Sequence, residues 1–241
     1  MKRGVKMSDK NVHKGHRQRV RELYLKDGLD NFNNHQILEL LLFYALPQKD
    51  TNPLAHKLLD EFGSISAVFD APISQLRRVG LTDNTISLLK LIPDLSRVYN
   101  MDKTDYNSKY IDISKLCEYF RPKFIGRVDE VLYVLLLDKK YKELYCGLIS
   151  KGSINTTDVP IMKILEMAVS YKASFVAIAH NHPTGIALPS PDDIKTTKML
   201  YDALKLINRP LIDHIIVSED DEISLALSSC YGKGIFFGDT E

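Results

Sequence analysis

The spacing of apolar residues changes near residue 100, and this change constrains the fold more than any other feature of the chain. Before it, apolar residues recur at helical intervals, as Ile37, Leu40, Leu41 and Tyr44 do in NNHQILELLLFYAL. TNPLAHKLLDEF has a proline near its start and a glycine just after its end, which is typical of a helix. Residues 14–99 are therefore predicted to form a small helical domain, and the polar segment 100–110 a linker.

After this segment, strands and helices alternate. The β-prone segments VLYVLLLD, ELYCGLI, SFVAIAH and HIIV are separated by helical patterns, from about Asp158 to Tyr171 and from Pro191 to about Ile207. ISKLCEYFRPKF predicts a short helix that ends near Pro122. The alternation predicts a mixed α/β (α+β) fold class, in which a small all-α domain is followed by an α/β domain over residues 111–241, with its sheet covered by helices.

The composition is that of neither a membrane-spanning nor a secreted chain. The longest unbroken apolar run, Val131–Leu137, is far shorter than a membrane span. The N-terminal segment MKRGVKMSDKNVHKGHRQRVR has no apolar core and therefore does not resemble a secretory signal. Three cysteines, an odd number without a C-x-x-C pair, favour reduced thiols. We therefore expect a cytoplasmic protein.

Positive charge is concentrated at the N-terminus. The net charge of the chain is +1, but its first 21 residues carry eight Lys or Arg and one Asp, which gives +7 and leaves −6 for the remainder. Such an arm can bind DNA phosphates weakly and without sequence preference. A basic, disordered and solvated tail over residues 1–13 is the other interpretation, and both stay open.

The segment AHNHPTGIALPSPDD, residues 179–193, contains the candidate site. His180 and His182 end a buried strand, and side chains two apart on a strand point to the same face, so both imidazoles can share one ion. Ser190 and Pro191 are typical of a helix start, and Asp193 stands where a capping box has its acidic residue. A turn at PTG can bring the Asp193 carboxylate to the imidazoles. Two histidines, one carboxylate and an open fourth position make up a catalytic zinc site.

The arrangement H-x-H, seven residues, Ser, two residues and Asp resembles the JAMM motif of MPN metalloproteases. The segments AHNHPTG and LIDHIIVSED extend this to a resemblance to the bacterial RadC (UPF0758) family over nearly the whole chain. The resemblance implies a helix-hairpin-helix-like module, an MPN-type metallohydrolase domain, and Zn²⁺ on His180, His182 and Asp193. It also implies that Ser190 donates a hydrogen bond near the water or the reacting oxygen, and that relatives cut a peptide or isopeptide bond.

The resemblance further requires a glutamate as general base. Glu118, in LCEYFRPKF, precedes the first long strand, and we favour it. Glu166, in KILEMAVSY, is the rival, and we expect it to face solvent. His214 follows Asp213 just before an apolar strand and is expected to pack beside the site without binding the metal. The sequence identifies neither a substrate nor an oligomeric state.

The hairpin segment VGLTDNT departs from the DNA-binding form of the helix-hairpin-helix. It keeps Gly80 but has Thr82 and Asp83 where a second glycine is usual, and the Asp83 carboxylate would repel phosphate. Arg77 and Arg78 could contact phosphate or form a solvated surface. Three functions therefore stay open: a zinc hydrolase, which we favour, a DNA-associated repair or recombination accessory protein, and a catalytically silent MPN scaffold.

Overall fold

A computed structural model describes residues 15–103, 110–152 and 160–236 of the 241-residue chain. The chain forms two compact units, which divide between Asp94 and Leu95. The basic tail predicted for residues 1–13 lies outside the described residues. Cys117, Cys146 and Cys230 are free cysteines. None of the helices within the described ranges is both long and apolar enough to span a membrane.

The first unit is helical, as the apolar spacing predicted. Its described part contains α1 (His16–Asp27), α2 (Asn34–Ala45), α3 (Asn52–Phe62), α4 (Ile65–Asp70), α5 (Ile73–Arg78) and the start of α6 (Asp83–Lys103). Each helix from α2 onward buries an apolar face in one core, whose members include Leu38, Leu42, Ala55, Leu58, Val68, Leu76, Ile86 and Leu89. Gly63 ends α3 with φ at +86°, which explains the glycine there.

A short hairpin joins α5 to α6. Gly80 has φ at +96°, a left-handed value that glycine adopts without strain. The Asp83 carboxylate at the start of α6 accepts a hydrogen bond from Arg77 Nε at 3.1 Å. α6 continues to Lys103, so residues 100–103, which were predicted to begin the linker, are helical. Polar residues there fit an exposed helix end as well as they fit a loop. Residues 104–109 lie outside the described residues.

The second unit contains a five-stranded sheet, which confirms the mixed α/β class. Short 3₁₀ helices at Ile113–Lys115 and Arg121–Phe124 flank its first complete α-helix. The described α-helices and strands are α7 (Leu116–Phe120), β1 (Val131–Leu137), β2 (Glu143–Lys151), α8 (Ile161–Ser170), β3 (Phe175–Asn181), α9 (Pro191–Leu206), β4 (Leu211–Val217), β5 (Glu222–Ser224) and α10 (Gly232–Ile235). The strand order is β2-β1-β3-β4-β5. β3 and β4 are parallel and are connected by α9, while the other neighbours are antiparallel.

Helices cover both faces of the sheet. One face, here called the α9 face, carries the even-numbered residues of β1 and β3 and packs against α8 and α9. The opposite face, here called the α7 face, carries the odd-numbered residues of the same strands and packs against Leu116 and Phe120 of α7. Because side chains alternate along a strand, this assignment decides which residues at the strand ends can meet.

Candidate metal centre

Two histidines lie at the carboxyl end of β3. His180 is within the strand, and His182 follows its last residue, Asn181. The backbone stays paired beyond the strand, since His182 N donates a hydrogen bond to Val217 O at 2.8 Å. The ring centroids of the two histidines are 4.9 Å apart, and His180 is 1% exposed. The two imidazoles therefore lie together on the α9 face, as the two-residue spacing predicted.

Asp193 comes from the first turn of α9. Ser190 is the N-cap of this helix, and its Oγ accepts a hydrogen bond from Asp193 N at 3.1 Å. In return, Ser190 N donates to Asp193 Oδ2 at 2.8 Å. This is the predicted capping box, and it fixes the direction of the carboxylate.

The three side chains converge, and we call them the His-His-Asp triad. His180 Nε2 lies 3.0 Å from His182 Nε2 and 3.3 Å from Asp193 Oδ1, and His182 Nε2 lies 3.5 Å from Asp193 Oδ2. Ligand atoms at about 2.0–2.1 Å from a tetrahedral zinc ion are about 3.3 Å from one another. Because the separations agree, the triad could bind a metal ion.

The turn after β3 orients the imidazole of His182. His182 Nδ1 lies 3.0 Å from Ile186 O. Since a carbonyl oxygen can only accept, Nδ1 carries a proton in this contact. In the neutral ring the lone pair is then on Nε2, the nitrogen that faces the other two residues of the triad. His182 is therefore oriented to bind a metal ion through Nε2.

The electrostatics of the triad favour an ionised carboxylate. Burial alone would disfavour the charge on Asp193, but the contacts with the His180 and His182 rings, together with the hydrogen bond from Ser190, hold the pKa of Asp193 well below its usual range. The nearby Asp193 carboxylate also raises the pKa of His182, because it stabilises the protonated ring against the effect of burial. Asp193 is therefore charged at neutral pH, as binding of a cation requires.

A second layer of polar side chains lies behind His180. His214 in β4 is 3% exposed, and its Nε2 is 2.7 Å from His180 Nδ1. Its Nδ1 is 2.6 Å from Oγ1 of Thr197, one turn beyond Asp193 in α9. Burial lowers the pKa of His214 well below its usual value. His214 thus packs against a triad residue, as expected, and its ring is neutral.

Ser190 is engaged within the capping box. Its Oγ donates to Asp193 Oδ2 at 2.6 Å, and this uses the single hydroxyl proton. In this geometry Ser190 orients the Asp193 carboxylate. The hydrogen bond to a reacting oxygen that the resemblance implies stays a prediction.

The structure does not bring Glu118 to the triad. Glu118 is exposed on α7 and lies midway between Leu116 and Phe120, the residues through which α7 packs on the α7 face. Residues two positions away on a helix point in nearly opposite directions, so Glu118 points away from the sheet. The triad lies at the α9 face. Glu166 is exposed on α8, as expected.

Glu130 lies close to the triad, although it was not among the glutamates predicted from the sequence. β1 and β3 are antiparallel, with Leu132 opposite His180, and Val131 N donates to Asn181 Oδ1 at 2.8 Å. Continuing this register places Glu130 opposite His182 and on the same face of the sheet. The Glu130 charge, after the larger effect of Asp193, also contributes to the raised pKa of His182. No signal in the sequence fixes this register, because it depends on which strands pair.

Comparison with known proteins agrees with this geometry. Residues 111–230 match the family described as the RadC-like JAB domain. A UPF0758 protein of Fusobacterium nucleatum is 35% identical over 227 residues, which cover 90% of this chain and 97% of the relative. A UPF0758 protein of Acinetobacter baumannii is 32% identical over 215 residues, which cover 87% of this chain and 90% of the relative. The chain belongs to the RadC (UPF0758) family.

This membership confirms the resemblance seen in AHNHPTG and LIDHIIVSED. The matched RadC-like JAB domain contains β1–β5, Glu130 and the whole triad. The aligned 227 residues are more than the second unit, Leu95–Glu241, contains, so the similarity to the Fusobacterium nucleatum relative extends into the helical unit.

Proposed function

We propose that this RadC-family protein is a zinc-dependent hydrolase of peptide or isopeptide bonds. The observation that carries the proposal is the 3.0–3.5 Å spacing of the ligand atoms of His180, His182 and Asp193. Two imidazoles and one carboxylate leave a fourth tetrahedral position open, and catalytic zinc sites have this composition. The resemblance to JAMM metalloproteases supports both the metal and the class of bond.

The donor set fits zinc, and the surrounding residues prepare it. A zinc ion held by the triad would lower the pKa of a water molecule to about 7 and polarise a substrate carbonyl group. The capping box holds Asp193 ionised and in place, and Ile186 O holds His182 with Nε2 directed at the other two residues. Because of these contacts, the ligand atoms need to move little when a metal ion binds.

Glu130 is the general base of this proposal, in place of Glu118. It lies at the start of β1 opposite His182, whereas Glu118 points away from the α7 face. The Glu130 carboxylate would accept a proton from water and deliver it to the leaving amine, as general bases of hydrolases do.

The first test is metal content. The purified wild-type protein is expected to contain about one zinc ion per chain, as a single three-ligand site predicts. His180→Ala and Asp193→Ala should each lose stoichiometric zinc in elemental analysis while keeping their helical and strand content. If both variants retain one zinc ion, the metal is bound elsewhere and the proposal fails.

The second test separates the base from the ligands. Glu130→Gln should keep the zinc ion and the fold, but hydrolysis should fall about 10²–10⁴-fold, because the amide is not a base at neutral pH. Glu118→Gln and Glu166→Gln are matched controls on exposed helix surfaces and should be near wild type. The assay uses a panel of peptide and isopeptide-linked substrates.

The catalytically silent scaffold is an outcome of these tests. A fully zinc-loaded wild type that cuts nothing in a broad panel would favour the MPN scaffold. A Glu118→Gln variant that is inactive while Glu130→Gln is active would restore Glu118 as the base. For DNA binding at the hairpin, the charge of Arg77 is already paired with Asp83, so the structure gives this function no specific support.

A further inference from the structure

Two buried polar side chains behind the His-His-Asp triad, Thr197 and His214, form a hydrogen-bonded chain that ends at His180 of the triad. Thr197 Oγ1 donates to Asp193 O at 2.6 Å and lies 2.6 Å from His214 Nδ1. His214 Nε2 in turn lies 2.7 Å from His180 Nδ1. Thr197, His214 and His180 are 0%, 3% and 1% exposed, so bulk water does not compete for these contacts.

The proton on each atom of this chain can be counted. The Asp193 carbonyl oxygen only accepts, so the single hydroxyl proton of Thr197 is directed to it. The contact between Thr197 Oγ1 and His214 Nδ1 therefore needs a proton on Nδ1. Nε2 then accepts from His180 Nδ1, because a proton on both nitrogens of His214 would bury a positive charge whose two ring nitrogens contact only the neutral side chains of Thr197 and His180. His180 is left with its lone pair on Nε2, the atom that faces the triad.

We propose that Thr197 and His214 are positioning residues that hold His180 in the tautomer able to bind a metal ion through Nε2. If the hydrogen bonds ran in the opposite direction, His180 Nε2 would carry the proton and could not bind the metal ion. The series of hydrogen bonds starts at the Asp193 backbone and ends at His180. It therefore also joins α9 and β3, the two elements that carry the metal ligands, through His214 of β4. The inference rests on the proposed metal site, but not on hydrolysis.

Thr197→Val and Thr197→Ser are the matched test pair. Valine keeps the shape of threonine but leaves the buried His214 Nδ1–H without an acceptor, which favours the His214 tautomer protonated on Nε2. That tautomer donates to His180 Nδ1 and moves the His180 proton to Nε2. Serine keeps the hydroxyl and should behave as the wild type.

Two measurements on the full chain read out the effect. Two-bond ¹⁵N–¹H correlations of the metal-free protein report which nitrogen of His180 is protonated, and competition with a chelator reports zinc affinity. In Thr197→Val the His180 proton should move from Nδ1 to Nε2, and zinc affinity should fall about 10–100-fold, as for other partners of metal ligands. Wild-type tautomer and affinity in this variant would overturn the inference, and so would an equal loss of affinity in Thr197→Ser.

A second pair keeps the test decisive if Thr197→Val does not fold. His214→Gln offers an amide oxygen to His180 Nδ1 without needing Thr197, and it should retain more zinc affinity than His214→Leu, which offers no acceptor. Equal affinities in this pair would overturn the inference. A wild type that binds no zinc would instead contradict the proposed function, while the tautomer of metal-free His180 would still test the hydrogen-bonded chain.

Discussion

Asp193 serves the helix and the candidate metal site with one carboxylate. Its Oδ2 accepts hydrogen bonds from Ser190 N and Ser190 Oγ at the start of α9, while its Oδ1 lies 3.3 Å from His180 Nε2. In the sequence, a helix start and a metal ligand are two interpretations of SPDD. The structure shows that they are compatible, because the capping contacts direct the carboxylate at the histidines.

This double use predicts that Ser190→Ala has two effects. The loss of the cap should lower the free energy of unfolding by about 0.5–2 kcal/mol, measured by denaturant titration of the metal-free protein. The removal of the Oγ donor, one of the two Ser190 groups that hold the carboxylate, should also weaken zinc binding about 10–100-fold.

Ser64→Ala is the control for this prediction. Ser64 caps α4 in the helical unit by accepting from Ala67 N at 3.1 Å, so its replacement should have a similar cost in stability. Zinc affinity should not change, because α4 contributes nothing to the triad. If the two variants bind zinc equally well, Ser190 is a cap and nothing more.

At the scale of elements, the sequence predicted the positions that depend on residues close in sequence. It did not predict the positions that depend on which strands pair and on which face of the sheet a helix packs. The common face of His180 and His182 follows from alternation within one strand, and the position of Asp193 follows from the helix start at Ser190. Glu130 is near the triad because β1 pairs with β3 in one register. Glu118 is not, because α7 covers the opposite face of the sheet. Neither fact is local, so neither could be derived from the spacing of residues.

Asn181 fixes the register that places Glu130. Its side chain is 3% exposed, its Oδ1 accepts from Val131 N at 2.8 Å, and its Nδ2 donates to Asp129 O at 3.1 Å. Both contacts are made by residues next to Glu130 in the chain. The end of β3 therefore holds the start of β1 in place.

We expect Asn181→Ala to lower hydrolysis more than it lowers zinc binding. The variant leaves the buried Val131 N–H without a partner, which costs about 1–3 kcal/mol in the free energy of unfolding. The start of β1 is then free to shift, and Glu130 shifts with it, while His180 and Asp193 keep their own supports. The measurement compares kcat with zinc content at a temperature where the variant is fully folded. Equal losses of zinc and activity would show that Asn181 supports only the triad.

At the scale of the whole molecule, the candidate metal site and the excess of positive charge lie in different parts of the chain. The triad and Glu130 belong to the second unit, Leu95–Glu241, whereas the charge of +7 is within the first 21 residues. Part of that charge is used in the helical unit, since Arg17 donates to the backbone oxygens of Phe43, Leu46, Pro47 and Lys49 at the end of α2. Of the two interpretations of the arm, we propose nucleic-acid binding through the basic residues before Arg17, four of which lie in residues 1–13.

Two deletions test whether these parts act separately. A fragment of residues 95–241, the second unit alone, should bind about one zinc ion with wild-type affinity, because all three ligands and their hydrogen-bond partners lie within it. The same fragment should lose the weak, sequence-independent nucleic-acid binding that we propose for the arm.

Deleting only residues 1–13 should leave zinc affinity unchanged and reduce the slope of log affinity against log salt, by about 0.9 for each phosphate of duplex DNA that the shortened arm no longer neutralises. Filter binding over a range of salt concentrations measures the slope, and chelator competition measures the zinc affinity. Weaker zinc binding by the fragment would mean that the helical unit supports the site, and an unchanged salt slope would place any nucleic-acid binding outside the arm.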